Sequence, residues 1–284
     1  MKGGVSMKRT VALVLALLLA LSAVSALAAA GKIAINSKNF PDPVFRAYIQ
    51  EQFDSDKDNA LTQAERDKVT TISIHGGDLQ DVTGIKHFAK LKILSITDTQ
   101  LSSLDTSANR KLTSLECEAN QLSSLNVKKN TKLKYLLCGS NKLTKLTIGT
   151  NSNMFQLDCS GNKLSSLNVS KCKNLQWLSC SGNRISSLNV KKNKKLVGLL
   201  CQSNRLRTLD LSKNAKLKQL DCSGNKKLKK LDIKKNKYLL GYVKKIEKYK
   251  STDNVEWVMD AEMRITIPVT CKLYNGKKVL YKGK

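Results

Sequence analysis

From residue 112 to residue 237 apolar and polar positions recur in one pattern, L-x-x-L-x-C-x-x-N-x-L, with a period of 21 residues. "LTSLECEANQLSSLNVKKNTK" (112–132) is followed by "LKYLLCGSNKLTKLTIGTNSN", "MFQLDCSGNKLSSLNVSKCKN", "LQWLSCSGNRISSLNVKKNKK" and "LVGLLCQSNRLRTLDLSKNAK". A sixth copy, 217–237, carries one extra lysine, and two looser copies occupy 69–90 and 91–111, which makes eight units. Around repeat positions 4 and 6 apolar residues alternate with polar ones, the period of a strand that buries one face. One such unit is too short to bury that face alone, so the units must stack. The stack places Asn120, Asn141, Asn162, Asn183, Asn204 and Asn225 in one file at position 9. An inward-turned amide there can satisfy backbone groups of the bend that would otherwise be buried unpaired. A second file, Asn109, Asn130, Asn151, Asn193, Asn214 and Asn236, is expected to do the same on the return path.

This pattern resembles the leucine-rich repeat, with cysteine where leucine often stands. In detail it is similar to secreted leucine-rich-repeat proteins of anaerobic bacteria that carry "LDCSGN-LSSLNVSKN"-type units. The resemblance spans residues 69–237 and implies an α/β solenoid, a horseshoe with a parallel β-sheet on its concave face.

The flanks do not repeat. Residues 1–28 combine Lys2, Lys8 and Arg9 with an apolar run from Val11 to Val24 and the small-residue site Ala26-Leu27-Ala28. That is the form of a secretory signal peptide, and the run is short for a membrane span. A secreted or cell-surface location is therefore expected. Residues 29–68 form the expected helical N-terminal cap: "FPDPVFRAYIQEQF" has apolar residues at helical spacing after a proline start. The loop "DSDKDNALTQAE" (54–65) then matches the EF-hand pattern at four of five fixed positions, with Asn59 where glycine is usual. It predicts Ca2+ held by Asp54, Asp56, Asp58 and Glu65, by the carbonyl of Ala60, and near Thr62 through a water. Residues 238–284 read as a β-rich C-terminal cap. "YLLGYV" is taken as one last rung, Asn275-Gly276 as a hairpin turn, and Pro268 as the mark of an edge strand.

An exported chain usually favours disulfides, and adjacent parallel rungs about 4.8 Å apart lie inside the Cα window for one. In-register neighbours, however, point their Cβ atoms the same way and strain the required torsion. The file Cys117, Cys138, Cys159, Cys180, Cys201 and Cys222 is therefore read as buried, reduced packing residues. Cys172 and Cys271 fall outside the file. With His75 and His87 the only histidines, neither a zinc cluster nor a thiol nucleophile is indicated, and the chain is not expected to be an enzyme.

Net charge is +28, and +25 once Lys2, Lys8 and Arg9 leave with the signal. Residues 112–237 hold 26 basic residues and 6 acids, yet repeat positions 3, 5 and 7, which should line the concave face, contain no lysine or arginine. Four of the acids, Glu116, Glu118, Asp158 and Asp221, sit in those columns. The cations lie at position 10 and on the return path. The concave face is thus predicted to be neutral to acidic, with Tyr135, Leu137, Asp158, Trp177, Leu200, Glu116 and Glu118 as ligand-binding residues. The expected function is recognition of a protein or glycan there, as in an adhesin. The other reading is a wall-associated structural protein whose basic back and rim hold an anionic wall polymer or polysaccharide. Nucleic acid fits poorly, because the basic side lacks interleaved aromatics.

Overall fold

A computed structural model of the chain describes residues 31–246, 265–266, 272–275 and 278–281. The expected signal segment, Pro268, Cys271 and Gly276 lie outside them.

At the N-terminal end β1 (Ile33–Ala34) pairs antiparallel with β2 (Ala60–Leu61). Helix α1 (Pro43–Phe53) starts where Pro43 fixes the first turn and Asp42 caps it. One Asp42 oxygen accepts from the Val44 and Phe45 amides at 2.8 and 3.0 Å, the other from Gln80 and Asp81 at 2.9 and 3.1 Å. This carboxylate therefore fastens α1 to the first rung. Burial works against its charge, but the four amides outweigh burial and hold it below the usual carboxylate range. Helix α2 (Gln63–Lys68) opens on a capping box in which Thr62 and Glu65 serve each other's backbone. Phe40, Phe45 and Phe88 are fully buried beneath these elements, and Gly84 leaves room for the Phe40 ring, which a Cβ would meet at 2.4 Å.

Each repeat contributes one strand to a parallel sheet: β3 (Thr71–His75), β4 (Ile93–Thr97), β5 (Ser114–Glu116), then, past a strand on the back, β7 (Tyr135–Leu137). It continues through β9 (Gln156–Asp158), β10 (Trp177–Ser179), β11 (Gly198–Leu200) and β12 (Gln219–Asp221). Register is one repeat per rung, as in Leu157↔Leu178↔Leu199↔Leu220. On the opposite side β6 (Ser124–Asn126) pairs parallel with β8 (Lys145–Thr147), and β13 (Lys230–Asp232) occupies the same place in the last repeat. The core is the file of position-1, -4, -6 and -11 side chains, almost all without solvent contact.

Both asparagine files behave as the sequence predicts. Asn162 donates to the carbonyls of Cys138 and Cys159 at 3.0 and 3.1 Å and accepts from the Leu143 amide at 2.8 Å, so one side chain stitches two rungs. On the return path Asn193 donates to Val169 and Cys172 at 2.9 and 2.8 Å. The position before the first file, position 8, has a left-handed backbone in every unit, from Asp98 (φ 55°) and Ala119 (φ 52°) to Gly161 (φ 62°) and Gly224 (φ 66°). That requirement is why "SGN" recurs there. The cysteines of the position-6 file and Cys172 are buried, and Cys117, Cys138, Cys159, Cys172, Cys180 and Cys201 are free thiols.

The C-terminal end corrects one expectation. "YLLGYV" is not a rung but part of helix α3 (Lys237–Ile246). Leu239, Val243 and Ile246 follow helical spacing, and the cysteine–asparagine signature that would turn the chain is gone after Asn225. Strand β14 (Ile265–Thr266) then adds to the concave sheet beside β12. On the back β15 (Lys272–Asn275) pairs parallel with β13 and antiparallel with β16 (Lys278–Tyr281), the hairpin that Asn275-Gly276 predicts. Among the described residues no helix is long and apolar enough to cross a membrane.

Candidate functional site

The concave sheet displays positions 3, 5 and 7. At position 3 the in-register set Tyr135↔Gln156↔Trp177 places the two large aromatics on either side of a glutamine. Tyr135 is 41 % and Trp177 37 % exposed, high for side chains of this size in a sheet so fully packed behind. Each is steadied by a neighbour that the sequence did not single out. Phe155 meets Tyr135 edge-on with ring centroids 5.8 Å apart. Gly198 lies under the Trp177 indole, where a Cβ would come within 2.2 Å of Cε3. The sequence signal for Gly198 is that it is the one residue without a side chain in its column.

Glu116 and Glu118 share one rung, and Asp158 lies two rungs on, across Leu137. Glu116 accepts from the Ser95 and Ser114 hydroxyls at 3.1 and 3.2 Å. Asp158 accepts from the Ser160 amide and hydroxyl at 2.8 and 2.6 Å. The Glu118 carboxyl is pushed above its ordinary range, first by burial and then by Asp158, Glu116 and Asp98. None of the ion pairs among the described residues involves Glu116, Glu118 or Asp158. Leu137, between Glu116 and Asp158, and Leu200, beside Asp221, are half-buried at position 5 and supply apolar ground. The surface is thus a sheet face with two braced aromatics and unneutralised carboxylates, in a chain whose net charge is +28.

The expected calcium loop is assembled only in part. Oxygens of Asp54, Asp56 and Asp58 lie within 4.8 Å of one another, and Asp54 is pinned by the Asp58 and Asn59 amides at 3.2 and 3.0 Å. Asn59 takes the left-handed conformation (φ 61°) that glycine usually supplies. These groups fit a hard cation. Glu65 and Thr62 do not join them, because both are engaged in capping α2. Glu65 Oε1 accepts from the Ser55 amide and hydroxyl at 2.8 and 2.7 Å, and Oε2 from the Thr62 amide and hydroxyl at 2.8 Å each. The Lys32 ammonium bonds Asp58, one of the three carboxylates.

The described thiols are buried and not activated. Burial pushes Cys117 and Cys180 up to about 12, so no thiolate forms near neutrality. His87 is held below its ordinary value by burial and by Lys86 and Arg66.

Repeat, register and asparagine files together define a leucine-rich-repeat solenoid. The match to a solved structure bears this out: internalin C2 of Listeria monocytogenes is 24 % identical, with a TM-score of 0.58 over 69 % of this chain and 89 % of that one. The functional domain of InlJ from the same organism, described as including a cysteine ladder, is 28 % identical over 73 % of this chain, with a TM-score of 0.43. A leucine-rich-repeat protein of Leptospira interrogans is 24 % identical over 61 % of this chain, with a TM-score of 0.48. This chain spans 55 % of the InlJ structure and 45 % of the Leptospira one. No family model and no curated protein matches the sequence.

Proposed function

We propose that this chain is an exported, non-enzymatic recognition scaffold that takes a protein or glycan on its concave face at the bacterial surface. The observation that carries the reading is the segregation of charge: every cation of the array is kept off a face that holds exposed Tyr135 and Trp177 beside Glu116, Glu118 and Asp158. Large, rigid aromatics lose little entropy on docking and recur as interface anchors. Unpaired carboxylates select a ligand that brings its own positive groups. The internalin likeness is a likeness of fold, and the binding assignment rests on this face.

The test is binding of the mature protein to mucin, matrix proteins and isolated bacterial walls across a salt series, beside Tyr135→Ala/Trp177→Ala. Truncating both anchors is expected to weaken binding by at least about 2 kcal/mol, roughly thirtyfold, with binding by the unaltered chain persisting in salt. Equal binding by both proteins removes the concave face from the mechanism.

A second reading is favoured by the scarcity of ion pairs on the outer surface: the basic back and rim hold an anionic wall polymer. It predicts attachment that falls away with salt and ignores the aromatic pair. Calcium is proposed as a structural ligand of Asp54, Asp56, Asp58 and the Ala60 carbonyl, seated once Lys32 withdraws.

A further inference from the structure

The cations of the array are not spread evenly over the outer surface. Lys142, Lys163, Arg184, Arg205 and Lys226 form one exposed file along the rim, on rungs about 4.8 Å apart. At the C-terminal end of that file the rim opens into a groove of about 790 Å³ lined by Arg205, Arg207, Lys226 and Lys227, with the hydroxyls of Ser186 and Ser203. Cavities of roughly 300–1,000 Å³ are the size that takes small ligands or one stretch of a polymer.

Two departures from the repeat make this groove. Position 12 is serine in most earlier copies, as at Ser165 and Ser186, and becomes Arg207 here. The last repeat carries its extra lysine, Lys227, directly after the position-10 cation, so two lysines and two arginines line the groove. Gly224 contributes to the lining without a side chain, and a Cβ there would come 3.0 Å from the Ser203 amide nitrogen. No acid lines the groove. The ion pairs of this region, Lys191–Asp210 and Lys234–Asp232, involve other residues.

We propose that this rim groove is a binding site for a phosphodiester-linked polyol or sugar polymer, with the cation file as the track along which the polymer continues. The proposal rests on the second reading above and narrows it from a diffuse attraction to one place. Guanidinium groups present paired donors whose geometry matches phosphate oxygens, and the serine hydroxyls suit the alcohol groups between phosphates. The lining contains no aromatic side chain, so it offers no platform for nucleobases.

The experiment measures binding of soluble poly(glycerol phosphate) to the mature protein at about 0.15 M salt, beside single-stranded DNA and poly(glutamate) of matched charge. The groove variant is Arg205→Gln/Arg207→Ser, which installs residues found at these positions in other repeats, Gln121 and Ser186. The charge-matched control, on the back, is Lys128→Gln/Lys129→Gln. Thermal melts confirm that both variants are folded. Loss of two charge-assisted contacts predicts at least about tenfold weaker binding for the groove variant, with the back control changing much less. An equal loss in both variants overturns the groove while leaving the diffuse reading standing. DNA or poly(glutamate) binding as tightly as poly(glycerol phosphate) overturns the ligand class. No binding of poly(glycerol phosphate) by the unaltered protein overturns both the groove and the reading beneath it. Tyr135→Ala/Trp177→Ala is expected to bind this probe normally, which separates the groove from the concave face.

Discussion

A single hydroxyl shows what the return-path asparagines lack. Asn109, Asn151, Asn193, Asn214 and Asn236 each bury a carbonyl oxygen with no hydrogen-bond partner among the described residues. Asn130 does not, because Thr106 donates to it at 2.9 Å. In the later units the residue equivalent to Thr106 is apolar: Val127 stands before Asn151, Val169 before Asn193 and Val190 before Asn214. Val190→Thr keeps the shape of the side chain and brings a donor to the Asn214 oxygen. It is expected to raise stability by about 1 kcal/mol in denaturant unfolding. A loss of stability would mean that this oxygen already has a partner, such as a buried water. The two files themselves were legible in the sequence because each asparagine recurs at a fixed offset from the same apolar positions. Their unequal satisfaction was not, since it depends on which side chain lies one rung away.

Among the elements, the N-terminal cap concentrates its polar bonding on few groups. Burial would raise the Glu65 carboxyl, but hydrogen bonds from Ser55 and Thr62 win and lower it from 4.5 to about 2. The folded value is below the unfolded one, so this group's stabilisation is complete above about pH 4.5 and drains away as pH falls toward 2. Glu65→Gln is expected to melt lower than the unaltered chain at pH 7 and to close much of that gap near pH 2. A gap that stays constant with pH would remove the carboxylate from the account. The same cap sets the terms for calcium. Lys32→Met frees the Asp58 carboxylate, so calcium is expected to raise the melting temperature more in this variant than in the unaltered chain. Asp54→Ala should abolish the rise, and a protein indifferent to both calcium and chelator would dispose of the ion. The ligand types of the loop could be read from its spacing. The competing duties of Glu65 and Thr62 could not, because a capping box and an EF-hand's last position ask for the same glutamate.

Over the whole molecule, the repeat was legible, as were the local signals for α1 and for the β15–β16 hairpin, but the contacts that tie the ends to the array were not. Strand positions, register and the composition of the concave face follow from the 21-residue repeat, since each rung repeats the environment of its neighbour. Helix α3, the docking of β14 beside β12 and of β15 beside β13, and the support of Trp177 by Gly198 depend on contacts outside that rule. The tail therefore grips the last repeat on both sides, while every interior rung is held only by the rung before and the rung after. Under tension such a molecule has a mechanical character of its own. Pulled by its ends, it should pay out in steps of about 70 Å, the extended length of one 21-residue unit, instead of tearing in one event. Single-molecule stretching would show this as a regular saw-tooth, and one large rip would contradict it. A chain that lengthens in this way while its remaining rungs stay folded would act as a shock-absorbing tether between whatever its two faces hold.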